Sequence, residues 1–300
     1  MKDIAFIIGV EKNEGIQLEQ MAILLARSIR KFGGIYKDAP IYSVQPTGND
    51  IDPETLEEFK KLGVCHVKDI INPFYTGGFG FYNMPFACDY LTKKVKEEYV
   101  VWLDIDVLCL NEPVFPDIED DEIICNTYDR NIMTPRNIDM VFPDLGRGSF
   151  LHKCLEKCYP RIDYPETGHY TWFQYKKTAN PFWESWKNKF VTIMEDIRKE
   201  GIDIKDDRLH SAEEIAYTLA LQNFDVFTRE VPEKLGCALG ITSPFTEHTQ
   251  FFHYDGFKER DNFYKIFESE FFPQDKKDWV LENCEDLEIL LNGKHFLLTL

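Results

Sequence analysis

Positive charge is scarce in this chain: 34 lysines and arginines stand against 52 aspartates and glutamates over 300 residues, a formal net charge of −18. Nucleic acid backbones and anionic membrane surfaces reward basic patches, so no nucleic acid partner is expected. Long apolar runs are missing too. No stretch approaches the roughly 20 residues that cross a bilayer, and no membrane span is expected. Met1, Lys2 and Asp3 lead straight into IAFIIGV without the basic, apolar and small-residue order of a secretory signal, which makes a cytoplasmic location the expectation. The eight cysteines (65, 88, 109, 125, 154, 158, 237 and 284) lack the spacing of a disulfide framework and lie mostly inside apolar runs, as reduced thiols do. His152, Cys154 and Cys158 come near one another, but not at zinc-ligand spacing. Repeats, low-complexity tracts and linkers are also lacking. The expected organisation is one domain over residues 1–258, with an extension over 259–300 packing on it.

What is present is core-forming material, 44% hydrophobic and 14% aromatic. The first half alternates strand and helix signals, the pattern of an α/β fold with a mostly parallel sheet covered on both faces. Strands are predicted at Ile4 to Val10, PIYSV, VCHV and Tyr99 to Leu103. Between them, Leu18, Met21, Ala22, Leu25, Ile29 and Phe32 form a helical stripe stopped by Gly33 and Gly34. Asp52 is expected to cap a short helix with Pro53 at its first position, ended by Gly63. A further helix is expected from Asn83 to Lys96. Later come strands in DEIICN and YTWFQYK, a helix from Pro181 to Lys199, and a helix opened by a Ser211–Glu214 capping box, which leaves Glu213 as the freer carboxylate. The stretch from Arg130 to Gly168 reads as a long loop folded over a site.

Asp104 and Asp106 end the apolar run of EYVVWLDIDVLCL, so a buried strand delivers two carboxylates to its carboxyl end. Ligands of open parallel sheets bind there, and residues i and i+2 of a strand point the same way. Oxygen ligands of this kind suit Mg²⁺ or Mn²⁺ with positions left for substrate phosphates. The plainer reading is a strand-to-loop turn whose aspartates bond nearby amides. Far downstream, FFHYDGFKERD sets His253, Gly256 and Lys258 after an aromatic strand signal. Imidazole can complete a carboxylate site, glycine lets backbone approach a phosphate, and lysine offers a point charge.

Together these residues resemble the GT-A class of nucleotide-sugar glycosyltransferases, and within it the glycogenin and bacterial galactosyltransferase-like family. The resemblance runs from Ile4 to Pro113, including LLARSIRKFGG and LDIDVLCLNEP, and recurs at Tyr170 to Lys177 and at His253. It implies a GT-A-like, Rossmann-like sheet flanked by helices. It also implies a Mn²⁺ or Mg²⁺ ion held by Asp104, Asp106 and His253, with a nucleoside diphosphate sugar, UDP favoured, as donor and a hydroxyl on a glycan, protein or small molecule as acceptor. Val10, Glu11, Asn83, Ile105, Gly256 and Lys258 follow as donor contacts, Asp106 and Glu213 as catalytic candidates, and Trp172 and Gln174 as acceptor-pocket candidates. YTGGFG, Tyr75 to Gly80, reads as a glycine-rich turn at the same edge. Two departures stand out: the lysine continues as KERD, one residue closer than usual, where the family has Pro and an aromatic after it, and TWFQYK replaces an Asn, small residue, Gly strand.

VVWLDIDVL also matches the first motif of haloacid dehalogenase-like phosphohydrolases, in which Asp104 is the nucleophile. That motif normally ends the first strand of its domain, and here three strand signals precede it. A third reading is a non-catalytic nucleotide-sugar-binding protein.

Overall fold

The computed structural model describes residues 2–12, 17–48, 50–75, 83–119, 122–128, 146, 148–149, 152–153, 166–202, 212–221, 227–230, 236–238, 245–254 and 267–284, with the backbone alone for 17, 69, 125–128, 166–180, 214, 218, 221, 227–230 and 236–238. Apolar segments form β1 (Ile4–Gly9), β2 (Ile41–Pro46), β3 (Val64–Ile70) and β4 (Tyr99–Leu103). The chain then leaves this sheet through β5 (Val107–Cys109) and rejoins it with β6 (Glu122–Tyr128), β7 (Glu166–Tyr175) and β8 (Phe227–Glu230). The resulting seven-stranded sheet has the order β3-β2-β1-β4-β7-β6-β8. Only β7 is antiparallel to its neighbours β4 and β6; the other pairings are parallel.

Strand alternation divides the core between the two faces. Ala5, Ile7, Val100 and Trp102 point to one side, where they meet α3 (Met84–Thr92), α4 (Lys176–Lys199) and α5 (Ala212–Leu221) through Leu91, Trp186, Phe190 and Ile215. Ile4, Phe6, Ile8, Val101 and Leu103 point to the other. There they meet α1 (Gln17–Phe32) and α2 (Pro53–Lys61) through Ala22, Leu25, Ile29 and Phe59. The opposite side of α1 is apolar as well: Met21 and Leu24 pack against Leu108, Leu110, Phe252 and Tyr254 and against Phe267, Phe272 and Val280 near α6 (Gln274–Asn283). Phe32 of α1 also meets the Trp279 ring edge-on at 5.0 Å.

That outer layer holds a second sheet that sequence periodicity did not predict. β10 (Phe251–His253) lies between β5, antiparallel, and β9 (Gly236–Ala238), parallel. Hydrogen bonds extend the join, Leu110 N to Gln250 O at 2.8 Å and Asn111 Nδ2 to Thr249 O at 2.8 Å. Buried Ser28 of α1 accepts from Cys109 N at 3.0 Å.

Several local expectations need correction. Asp52 holds the N-cap position of α2, but its side chain makes no capping bond; its carboxylate pairs with Lys12 at 2.5 Å. The fully buried Glu19 of α1 serves that helix start instead, accepting from Asp52 N at 3.0 Å and from the Thr55 hydroxyl. α3 begins at Met84 and stops at Thr92, where Lys94 N and Val95 N both turn back to Leu91 O. α4 begins at Lys176, so Pro181 lies inside it. The Ser211 half of the capping box, the Glu214 side chain, Thr76 to Gly80 of the glycine-rich turn and nearly all of the Arg130 to Gly168 stretch lie outside the described residues. Cys65, Cys88, Cys109 and Cys284 are unbridged thiols.

Candidate metal centre

β4 ends at Leu103 between β1 and β7, in the middle of the large sheet. Asp104 to Asp106 then turn the chain into β5. Because β10 pairs with β5 so that His253 faces Val107, the imidazole arrives beside the residue just before that strand. Two bonds clamp the meeting, Tyr254 N to Asp106 O at 3.0 Å and His253 Nε2 to Asp106 Oδ1 at 3.0 Å, across 147 residues of chain. A potential ligand atom on each of Asp104, Asp106 and His253 lies within 4.8 Å of the others. Asp106 and His253 are each 7% exposed, and Asp104 is half-buried.

A buried carboxylate beside an imidazole meets the donor requirements of a hard or borderline divalent ion. Neighbouring ligands of an octahedral ion with bonds of about 2.1 Å stand about 3.0 Å apart, which is the Asp106 to His253 separation. The same two atoms satisfy each other through an N–H donated to the carboxylate. These residues therefore fit a divalent cation. Tyr254 lies fully buried behind them, and burial, helped by the Asp106 charge, holds its phenol well above its ordinary range. It is a neutral hydroxyl at any working pH.

Asp104 has its own support. Trp102, two residues earlier on the same face of β4, donates from its indole N–H to Asp104 Oδ1 at 3.0 Å. The indole tip reaches the end of β1, where a Cβ on Gly9 would lie 3.3 Å from it. In the sequence Trp102 reads only as part of the apolar run of β4, and its N–H contact emerges from the structure.

The other candidates are placed as follows. Val10 and Glu11 form the buried turn after β1, 3% and 4% exposed, and Val10 N is held by Val44 O at 2.8 Å. Ile105 is half-buried between α1-facing clusters. Asn83 is buried at the start of α3, and its Oδ1 has no hydrogen bond among the described residues. Glu213, expected to be the freer carboxylate of its pair, has its side chain buried, and the Glu214 side chain lies outside the described residues. Glu213 is 1% exposed, because Ala212, Ile215 and Ala216 turn that side of α5 into the core, and its backbone carbonyl accepts from Trp186 Nε1 at 2.8 Å. Gly256, Lys258 and the side chains of Trp172 and Gln174 lie outside the described residues. Among the described residues, no helix is long and apolar enough to cross a membrane.

No protein-family model and no curated protein sequence matches the chain. Solved structures do. An active-site variant of LgtC superposes with a TM-score of 0.52 at 12% identity, covering 97% of this chain and 99% of LgtC. The galactosyltransferase LgtC in complex with donor and acceptor sugar analogs gives 0.50 at 10% identity, covering 93% and 94%. The glycosyltransferase GlyE of Streptococcus pneumoniae TIGR4 gives 0.49 at 12% identity; 97% of this chain is covered, and the chain spans 63% of GlyE. The architecture is accordingly the GT-A glycosyltransferase fold: α/β, with a mostly parallel sheet between helices.

Proposed function

We propose that this chain is a metal-dependent glycosyltransferase that moves a sugar from a nucleoside diphosphate sugar, UDP favoured, to a hydroxyl on a glycan, protein or small molecule. The observation that carries the reading is the convergence of Asp104, Asp106 and His253 beside the carboxyl end of β4 in a GT-A sheet. Asp104, Asp106 and His253 would hold Mn²⁺ or Mg²⁺, which supplies Lewis-acid stabilisation to a departing diphosphate. Asp106 also anchors His253, and β5–β10 pairing keeps the two oriented without substrate. Val10, Glu11 and Ile105 border the donor side, Asn83 contributes a buried acceptor oxygen for a donor hydroxyl or N–H, and Gly256 with Lys258 would meet the diphosphate.

In an inverting reaction the acceptor hydroxyl needs a base, and Glu213 is the carboxylate to test. A retaining reaction does without one, and the glycogenin-like resemblance points to retention. The phosphohydrolase alternative gains nothing from the site, since it gives no role to His253 and normally carries the motif on a first strand rather than on β4.

Calorimetry against UDP, GDP and CMP sugars, with and without Mn²⁺, followed by product analysis, tests the reading. The expected result is donor binding that requires the metal, turnover with a hydroxyl acceptor, and loss of both in Asp106→Ala. Full activity and metal dependence in Asp106→Ala would contradict it, as would a phosphoaspartyl intermediate on Asp104. Metal-dependent binding without turnover on any acceptor would assign the chain a binding role instead.

A further inference from the structure

We propose that Trp102 is a positioning residue for the metal ligand Asp104, and that Gly9 is glycine because the indole crosses the end of β1 to do this. The inference rests on the metal-binding reading of the Asp104, Asp106 and His253 cluster. A carboxylate at a strand end rotates freely about its Cβ–Cγ bond unless something holds it, and freezing it on ion binding costs entropy. Asp106 is held by His253 and by its place against Tyr254. Asp104 follows the last residue of β4 and is more exposed, so a fixed donor at its carboxylate matters more there.

The indole provides it. Trp102 is 5% exposed and packed among Ile7, Met84 and other residues of the α3-facing core, so its ring has no alternative rotamer to visit cheaply. It has a single N–H donor and directs it to Asp104 Oδ1 at 3.0 Å. A carboxylate accepts at about four lone-pair sites, so this bond fixes the plane while leaving acceptor capacity for a cation. A Cβ at position 9 would approach Cη2 to 3.3 Å and Cζ2 to 3.4 Å, so the packed ring would have to give by a few tenths of an ångström. Gly9 itself is not at positive φ, so the close approach, rather than backbone freedom, is what the glycine supplies.

The probe is Mn²⁺ alone, titrated into the full chain and followed by the free-ion electron paramagnetic resonance signal and by tryptophan emission. An ion about 2.1 Å from an Asp104 oxygen lies within about 6 Å of the indole, close enough for paramagnetic quenching. In the unaltered chain Mn²⁺ should quench a component of the emission that Trp102→Phe lacks. Trp102→Phe keeps an aromatic ring but removes the donor, and its Kd for Mn²⁺ should rise about tenfold or more, as losing a hydrogen bond to a ligating carboxylate does. Gly9→Ala should raise the Kd several-fold through the displaced indole, and it carries the test if Trp102→Phe does not fold. A purely structural tryptophan would lower the melting temperature of the variant and leave Mn²⁺ affinity and the remaining quench unchanged. That outcome overturns the inference while the metal site stands. Failure of the unaltered chain to take up Mn²⁺ overturns the metal reading and this inference together.

Discussion

His66 of β3 links Ser43 and Gln45 of β2 through both of its ring nitrogens. Its ring accepts at Nδ1 from the Ser43 hydroxyl at 2.9 Å and donates from Nε2 to Gln45 Oε1 at 2.7 Å, while Gln45 Oε1 also faces Ile51 N. Burial, with the Lys68 charge adding to it, lowers the imidazole from 6.5 to about 4. Between those values the unfolded chain binds the proton and the folded chain does not, so stability is complete above pH 6.5 and falls as pH drops toward 4. The full shift corresponds to about 3 kcal/mol, and partial exposure of the ring reduces it to about 1–2 kcal/mol. Urea unfolding at about pH 7 and about pH 4.5 should show that loss, with a shallower pH dependence in His66→Gln. Identical slopes in the two proteins would contradict the assignment. At the candidate metal centre Asp104 and Asp106 were legible because two acids end an otherwise apolar strand, whereas VCHV reads only as a strand and hides the role of His66. Trp102 was not legible either, because an indole among apolar residues looks like core until its N–H is followed.

Among the elements, those with a strong period were readable and those defined by distant partners were not. The i, i+3, i+4 stripe of α1 and the apolar runs of β1 to β4 announce themselves, whereas β5 is three residues whose pairing partner β10 lies far along the chain. Glu19 is another long-range device. It sits on α1, fully buried, yet it caps α2 in place of Asp52. Glu19→Ala should therefore cost about 2–3 kcal/mol in denaturant unfolding, because the Asp52 amide and the Thr55 hydroxyl both lose their acceptor. Asp52→Ala should cost under about 1 kcal/mol, since it breaks only a part-exposed pair with Lys12. The reverse ranking would show that the sequence-based cap is the true one. Gly63, at φ +64 after α2, adds a simpler case: Gly63→Ala should lower stability by about 1 kcal/mol, measured the same way.

At the scale of the whole molecule, α1 is the shared wall between the large sheet, which offers the two aspartates, and the small sheet, which brings His253. The alternating first half made the α/β class and the parallel core readable, but the second sheet requires three segments to meet and no local pattern encodes that. If the two sheets are joined by an ion as well as by β5 and β10, Mg²⁺ should slow amide exchange in the peptides containing Tyr254 and Leu110 and leave β2 unchanged, read by hydrogen exchange mass spectrometry. A net charge of −18 would leave the proposed anionic donor little to attract it, which would give the proposed cation an electrostatic role beyond coordination. The most direct measurement is an anomalous diffraction map at the manganese edge from crystals grown with Mn²⁺ and UDP. The account predicts one peak about 2.0–2.3 Å from oxygens of Asp104 and Asp106 and from Nε2 of His253, with diphosphate oxygens completing the shell; a map without density between these three side chains, or with the ion bound elsewhere, would contradict it.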